Sequence, residues 1–151
     1  MLSSFASYIL CLRKEFLEYT SSQLSQIGLS PGLLYFLLYL GKHPGCTPGQ
    51  LAKALSMDAG HTARSIGRLE QGGFLLQEQK PEDRRSRSLY LTEQGEEAFL
   101  LCRKLFSMWD QKALGGLTLE EKETLMKLLE KTMKELNIME RTEKEGGNCH
   151  V

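Results

Sequence analysis

The sequence has no surplus of charge. Its 19 Lys and Arg are balanced by 19 Asp and Glu, for a formal net charge of +0. That removes the simplest footprint of nucleic-acid binding, a basic domain, so any polyanion must be held by a local patch. Long apolar runs are missing too. The longest, Leu33 to Leu40, falls short of the roughly 18 residues that span a bilayer. The N-terminal stretch has no basic region leading into an apolar core and a small-residue cleavage site, so a cytoplasmic location is expected. Cysteine is sparse. Cys11, Cys46, Cys102 and Cys149 lie far apart, which favours free thiols in a reducing compartment.

Other absences narrow the function. There is no internal repeat, no phosphate-cradling glycine loop, no nucleophile–base arrangement and no cluster of carboxylates, so no enzyme and no catalytic residue is expected. His43-Pro44-Gly45-Cys46 and Cys149-His150 fall short of the set of spaced ligands that zinc requires, so no metal and no resident cofactor is expected.

What remains is a chain of 151 residues, 41% of them hydrophobic, enough for one domain with a modest core. Phe5, Tyr8, Ile9, Leu12, Phe16 and Tyr19 recur at helical spacing and predict a long first helix ended by Gly28. Ser30-Pro31 signals a new start before a helix that is apolar on nearly all sides. Thr47-Pro48-Gly49-Gln50 is a capping box that opens a short helix to about Leu55. After Ser56-Met57-Asp58 another helix is expected over Ala59–Gln71, stopped by Gly72-Gly73. Thr62, Ala63, Ile66 and Leu69 form its apolar side, and His61, Arg64, Ser65 and Arg68 lie largely opposite.

Phe74-Leu75-Leu76 and Ser88-Leu89-Tyr90-Leu91 predict two short strands joined by a polar connection over 80–87. Thr92 caps a further long helix, with Ala98, Leu101, Cys102, Leu105, Met108 and Trp109 as its stripe. Thr118-Leu119-Glu120-Glu121 opens the last helix, with Leu125, Leu128, Leu129, Thr132 and Leu136 in register.

The fold class is therefore mostly α with a small β-hairpin. The pair of helices from Thr47 to Gln71 has the size and punctuation of a helix-turn-helix, whose second helix reads base edges with its N-terminal part. That part offers His61, Thr62, Arg64 and Ser65, with Arg68 further along. Arginine can make bidentate contacts to guanine, and the others can bond bases or phosphates. The hairpin adds Arg84, Arg85 and Arg87. Three neighbouring guanidinium groups repel one another unless they face a phosphate backbone or a narrow minor groove, and Asp83 can brace one of them. The first and last helices carry apolar stripes with no partner in so small a domain. Pairing Phe5, Ile9 and Leu12 with Leu125, Leu128, Leu129 and Leu136 across a two-fold axis would bury them.

Leu51-Ala52-Lys53-Ala54-Leu55, the run Arg68-Leu69-Glu70-Gln71-Gly72-Gly73-Phe74-Leu75, and Pro81-Glu82-Asp83-Arg84-Arg85-Ser86 followed by Leu89-Tyr90-Leu91-Thr92-Glu93-Gln94-Gly95 resemble the MarR family of regulators. The resemblance covers roughly residues 29–136. It implies a winged helix-turn-helix over about 29–92 flanked by dimerisation helices over about 3–27 and 93–138, in one domain of residues 1–139 with a flexible tail at 140–151. It also implies a homodimer on pseudo-palindromic double-stranded DNA, mostly repressing, and released by a small-molecule effector or by oxidation. Carried onto this chain, Ala59–Gln71 is the recognition helix, Arg85 the wing arginine of the minor groove, Asp83 its brace, and Thr47 a phosphate-facing cap. Gly60-His61 departs from the small hydroxyl residues of many members, so base preference does not carry over.

Two rival readings use the same residues differently. A winged-helix module that binds protein would explain the neutral charge. An oxidation sensor would take its signal at Cys11.

Overall fold

A computed structural model describes residues 4–80 and 83–136, the backbone alone at residues 80 and 83–86. The chain order is α1 (Phe5–Ser25), a 3-10 turn (Pro31–Leu33), α2 (Leu34–Lys42), α3 (Pro48–Ala54), α4 (Ala59–Gln71), β1 (Leu75–Lys80), β2 (Asp83–Leu91), α5 (Glu93–Ala113) and α6 (Leu119–Glu135). The expected class, mostly helical with one antiparallel hairpin, is what forms. Among the described residues no helix is long and apolar enough to cross a membrane.

The helix starts follow their caps. Thr47 and Thr118 each accept from the backbone N–H three residues on, and Gln50 and Glu121 return the bond. Asp58 caps α4 and Thr92 caps α5 by accepting from the backbone N–H three residues on. Ser30 departs from expectation. Its side chain makes no capping bond, and the chain passes through the 3-10 turn before α2 begins. The first helix runs to Ser25, just before the expected stop at Gly28, with Thr20 and Leu24 buried in its last turns. Between α3 and α4 the chain turns through Ser56 at φ 52, in the left-handed region.

The core is built on α2. Phe36, Leu37 and Leu40 are buried with Leu51 of α3, Ile66 and Leu69 of α4, Leu75 and Leu89 of the hairpin, and Cys102 and Leu105 of α5. Each buried leucine contributes about 1.5–3 kcal/mol of hydrophobic stabilisation. Helices α1 and α5 meet through rings: Phe16 packs edge-on to Phe106 at 5.2 Å and to Trp109 at 5.7 Å between centroids. Trp109 is therefore a packing residue between these helices.

The hairpin is longer than expected. Strand pairing runs from Leu75 opposite Leu91 to Gln79 opposite Arg87, and then shifts register to Lys80 opposite Asp83. Asp83, Arg84, Arg85 and Arg87 thus lie on β2 rather than in an open connection. A third segment joins the edge: Gly45 donates to the Leu89 carbonyl at 2.8 Å, and Leu89 donates to the Cys46 carbonyl at 2.9 Å. The expected tail at 140–151 and the end of the last helix at 137–138 lie outside the described residues.

Candidate nucleic-acid interface

The helix-turn-helix presents a two-sided α4. Thr62, Ser65, Ile66 and Leu69 are buried; His61, Arg64 and Arg68 are exposed. Two expectations change. Ser65 faces inward, and Ala63 takes the outward place. Thr62, counted among the candidate DNA contacts, is 1% exposed and its hydroxyl donates to the Asp58 carbonyl at 2.9 Å. Thr62 and Ser65 therefore anchor the helix, leaving His61, Arg64 and Arg68 on its outer side.

The first turn of α4 is electrostatically organised. Asp58 accepts from the His61 N–H at 2.8 Å. That bond is the main reason its carboxyl is held below the usual aspartate range; burial opposes the shift, and the nearby Arg64 charge adds to it. Gly60 supplies the space for Arg64. A Cβ at Gly60 would lie 3.3 Å from Arg64 Nη1 and 3.2 Å from Asp58 Oδ1. The guanidinium therefore bends back over the first turn, as long helical side chains do. His61 is oriented from behind by the buried Phe36, its ring centroid 6.0 Å away. Thr47, half-buried, has its hydroxyl engaged in the α3 capping box.

The hairpin is fixed at its base by the segment that resembles the family signature. Thr92 caps α5 through its oxygen and donates its hydroxyl to the Gly73 carbonyl. Gly73 itself turns at φ +79, where glycine is favoured. Gly95 lets the start of α5 lie against the Phe74 carbonyl. Further out, a bond pattern appears that sequence reasoning missed. Gln77 Nε2 donates to Glu70 Oε2 at 2.9 Å, and Arg87 Nη1 donates to Gln77 Oε1 at 3.4 Å. Polar residues on a strand and on a helix end carry no local signal that they meet.

Of the residues expected to pair two copies, Phe5, Ile9, Leu12, Leu128, Leu129 and Leu136 are exposed, and Leu125 is half-buried. Helix α6 buries no residue at all. Cys11 is exposed on α1, whereas Cys46 and Cys102 are buried, with their thiols pushed up to about 11 by that burial. Among the described residues no group of three or more His, Cys, Asp or Glu is placed to hold a metal.

Comparison with known proteins agrees with this architecture. A profile of the MarR family matches residues 29–86. The HTH-type transcriptional regulator BilQ of Clostridium symbiosum is 42% identical over 87% of this chain and 91% of its own. A regulator of the same name from Clostridioides difficile is 37% identical over 69% and 71%. Among solved structures, a crystal structure of MarR superimposes with a TM-score of 0.77 at 26% identity, covering 91% of this chain and 94% of that one. A cysteine-to-serine mutant of MarR from E. coli, solved with operator DNA, gives 0.71 at 26% identity over 85% and 92%. With its capped helix pair, its hairpin and these relatives, the chain belongs to the MarR family of transcriptional regulators.

Proposed function

We infer that the protein is a sequence-specific DNA-binding repressor, acting as a homodimer on a pseudo-palindromic operator and released by a small effector. The main support is the two-sidedness of α4: Thr62, Ser65, Ile66 and Leu69 tie it into the core, while His61, Arg64 and Arg68 face outward on the other side. A similar chain, the E. coli MarR mutant, was solved with operator DNA. In the proposed complex His61 and Arg64 approach base edges in the major groove, and Arg68 and the cap region at Thr47 approach phosphates. Arg84, Arg85 and Arg87 meet the flanking groove and backbone, with Asp83 bracing Arg85.

Residues 1–139 work as one unit, with 29–92 reading DNA and 3–27 and 93–138 pairing the subunits. Phe5 at 54%, Leu12 at 57%, Leu128 at 58% and Leu136 at 57% exposure are large apolar side chains in need of cover, and a two-fold partner supplies it. An effector fits the cleft of about 320 Å³ lined by Ile27, Phe74, Gln94, Glu97, Ala98 and Leu101. It lies between the turn that follows α1, the first turns of α5 and Phe74 just before β1, so a wedge there changes how the reading units are held.

Selection of bound duplexes from random DNA tests the proposal. An inverted repeat with half-site centres roughly 34–36 Å apart is expected, with affinity falling steeply as salt rises. Failure to enrich any duplex at low salt would overturn it. A second reading, release by oxidation at Cys11, draws on the exposure of that thiol alone among the described cysteines.

A further inference from the structure

One face of the hairpin changes character from base to tip. Strand alternation puts Leu75, Gln77 and Gln79 of β1 on the same side as Leu91, Leu89 and Arg87 of β2. Near the base this face is core, with Leu75 and Leu89 buried. Further out it carries Gln77 and Arg87, and it meets Glu70 in the last turn of α4. Gln77 pairs across the ladder with Leu89, and Arg87 with Gln79. Arg87 therefore reaches Gln77 along the diagonal, a separation that long side chains bridge.

The order of groups matters. A carboxylate offers acceptors only, and a guanidinium donors only; a carboxamide offers one end of each kind. Gln77 gives its N–H to Glu70 and its oxygen to Arg87, so each end of the amide meets the group it suits. Glutamate at 77 would repel Glu70, lysine would repel Arg87, and leucine would join neither.

We propose that Gln77 is a positioning residue. It ties the outer half of the hairpin to the C-terminal end of α4 through Glu70 and Arg87, and so sets the spacing between recognition helix and wing before DNA arrives. This rests on the DNA-binding reading above. Ordering the wing in advance lowers the entropy lost on binding.

The test uses the full chain as Gln77→Ala, Gln77→Glu, Glu70→Gln and the double variant Gln77→Glu with Glu70→Gln. In the double variant the amide at 70 donates to the carboxylate at 77, which still accepts from Arg87, so the relay is rebuilt with reversed order. Two quantities are read: backbone 15N relaxation of the hairpin in the free protein, and affinity for a duplex selected by the wild type, whole and trimmed of the flanks outside the recognition-helix footprint. Gln77→Ala and Gln77→Glu loosen the outer hairpin and weaken whole-duplex binding about 3- to 10-fold. Binding to the trimmed duplex stays within about twofold, and the double variant recovers both readouts. Unchanged hairpin relaxation in both Gln77 variants, or a double variant no better than Gln77→Glu, would overturn the proposal. If the wild type selects no duplex, the DNA reading falls while the relaxation measurement still decides the relay.

Discussion

The α-carbon of Gly95 lies so close to the carbonyl oxygen of Phe74 that a side chain of any size would overlap it. The obstacle is backbone, which cannot swing aside as a side-chain tip can. Gly95→Ala should therefore destabilise the fold by about 1–3 kcal/mol, the scale of an overpacked core. Gly116→Ala, where an added Cβ meets nothing within 4 Å, serves as the control. Urea denaturation of the two variants beside the wild type checks the difference, and equal midpoints would contradict the close approach.

Arg85→Ala should weaken operator binding by roughly 1–3 kcal/mol, the scale of one good groove contact. A gel-shift titration at fixed salt measures it. Since Arg85 would enter a groove rather than the core, thermal stability should stay close to wild type.

Charge placed on the apolar faces of α1 and α6 should separate the subunits. Leu12→Asp and Leu128→Asp each put a carboxylate where a partner must pack, and light scattering should report monomers. The wild type should show an unfolding temperature that rises with protein concentration, as linked dimerisation requires. A concentration-independent midpoint would count against the homodimer.

Thiol labelling should be selective. Cys46 and Cys102, both buried with thiols near 11, hold about a thousandth of their population as thiolate at pH 8. Cys11 is exposed. Brief treatment of native protein with iodoacetamide, read by peptide mass spectrometry, should modify Cys11 and leave Cys46 and Cys102 intact. Modification at Cys102 would show that α5 opens readily.

The α4 cap gives a signed pH dependence. The Asp58 carboxyl lies below its ordinary value of 3.8 in the folded chain, chiefly through the bond from the His61 N–H. Its stabilisation is complete above 3.8 and fades as pH falls through the lower folded value. Asp58→Asn retains a capping side chain but has no charge to lose. The stability gap between wild type and Asp58→Asn should therefore be largest near neutrality and shrink in acid. A gap that widens on acidification would reverse the assigned sign.

The helix-turn-helix is legible in the sequence because its punctuation is local. A capping box at Thr47, the break at Ser56-Met57-Asp58 and paired glycines at 72 and 73 mark its limits without reference to the rest of the chain. The hairpin is legible only in its apolar base. Its outer half is built from Gln, Glu, Lys and Arg, residues that strands do not favour, and cross-strand pairing carries it on regardless. Ser65 misleads because its hydroxyl suggests an outward role, although a position three residues after Thr62 shares its inward face. The bonds joining Glu70, Gln77 and Arg87 span two elements and depend on how α4 packs on β1, which no short pattern encodes.

The bonds between Gly45, Cys46 and Leu89 run from main chain to main chain. Bonds of that kind ignore the identity of the side chains around them. The outward residues of α4 and of the wing can therefore be exchanged through evolution, or in the laboratory, while the hairpin stays moored to the entrance of α3. A lineage can drift to a new target site by changing a few outward residues, with no need to rediscover its architecture.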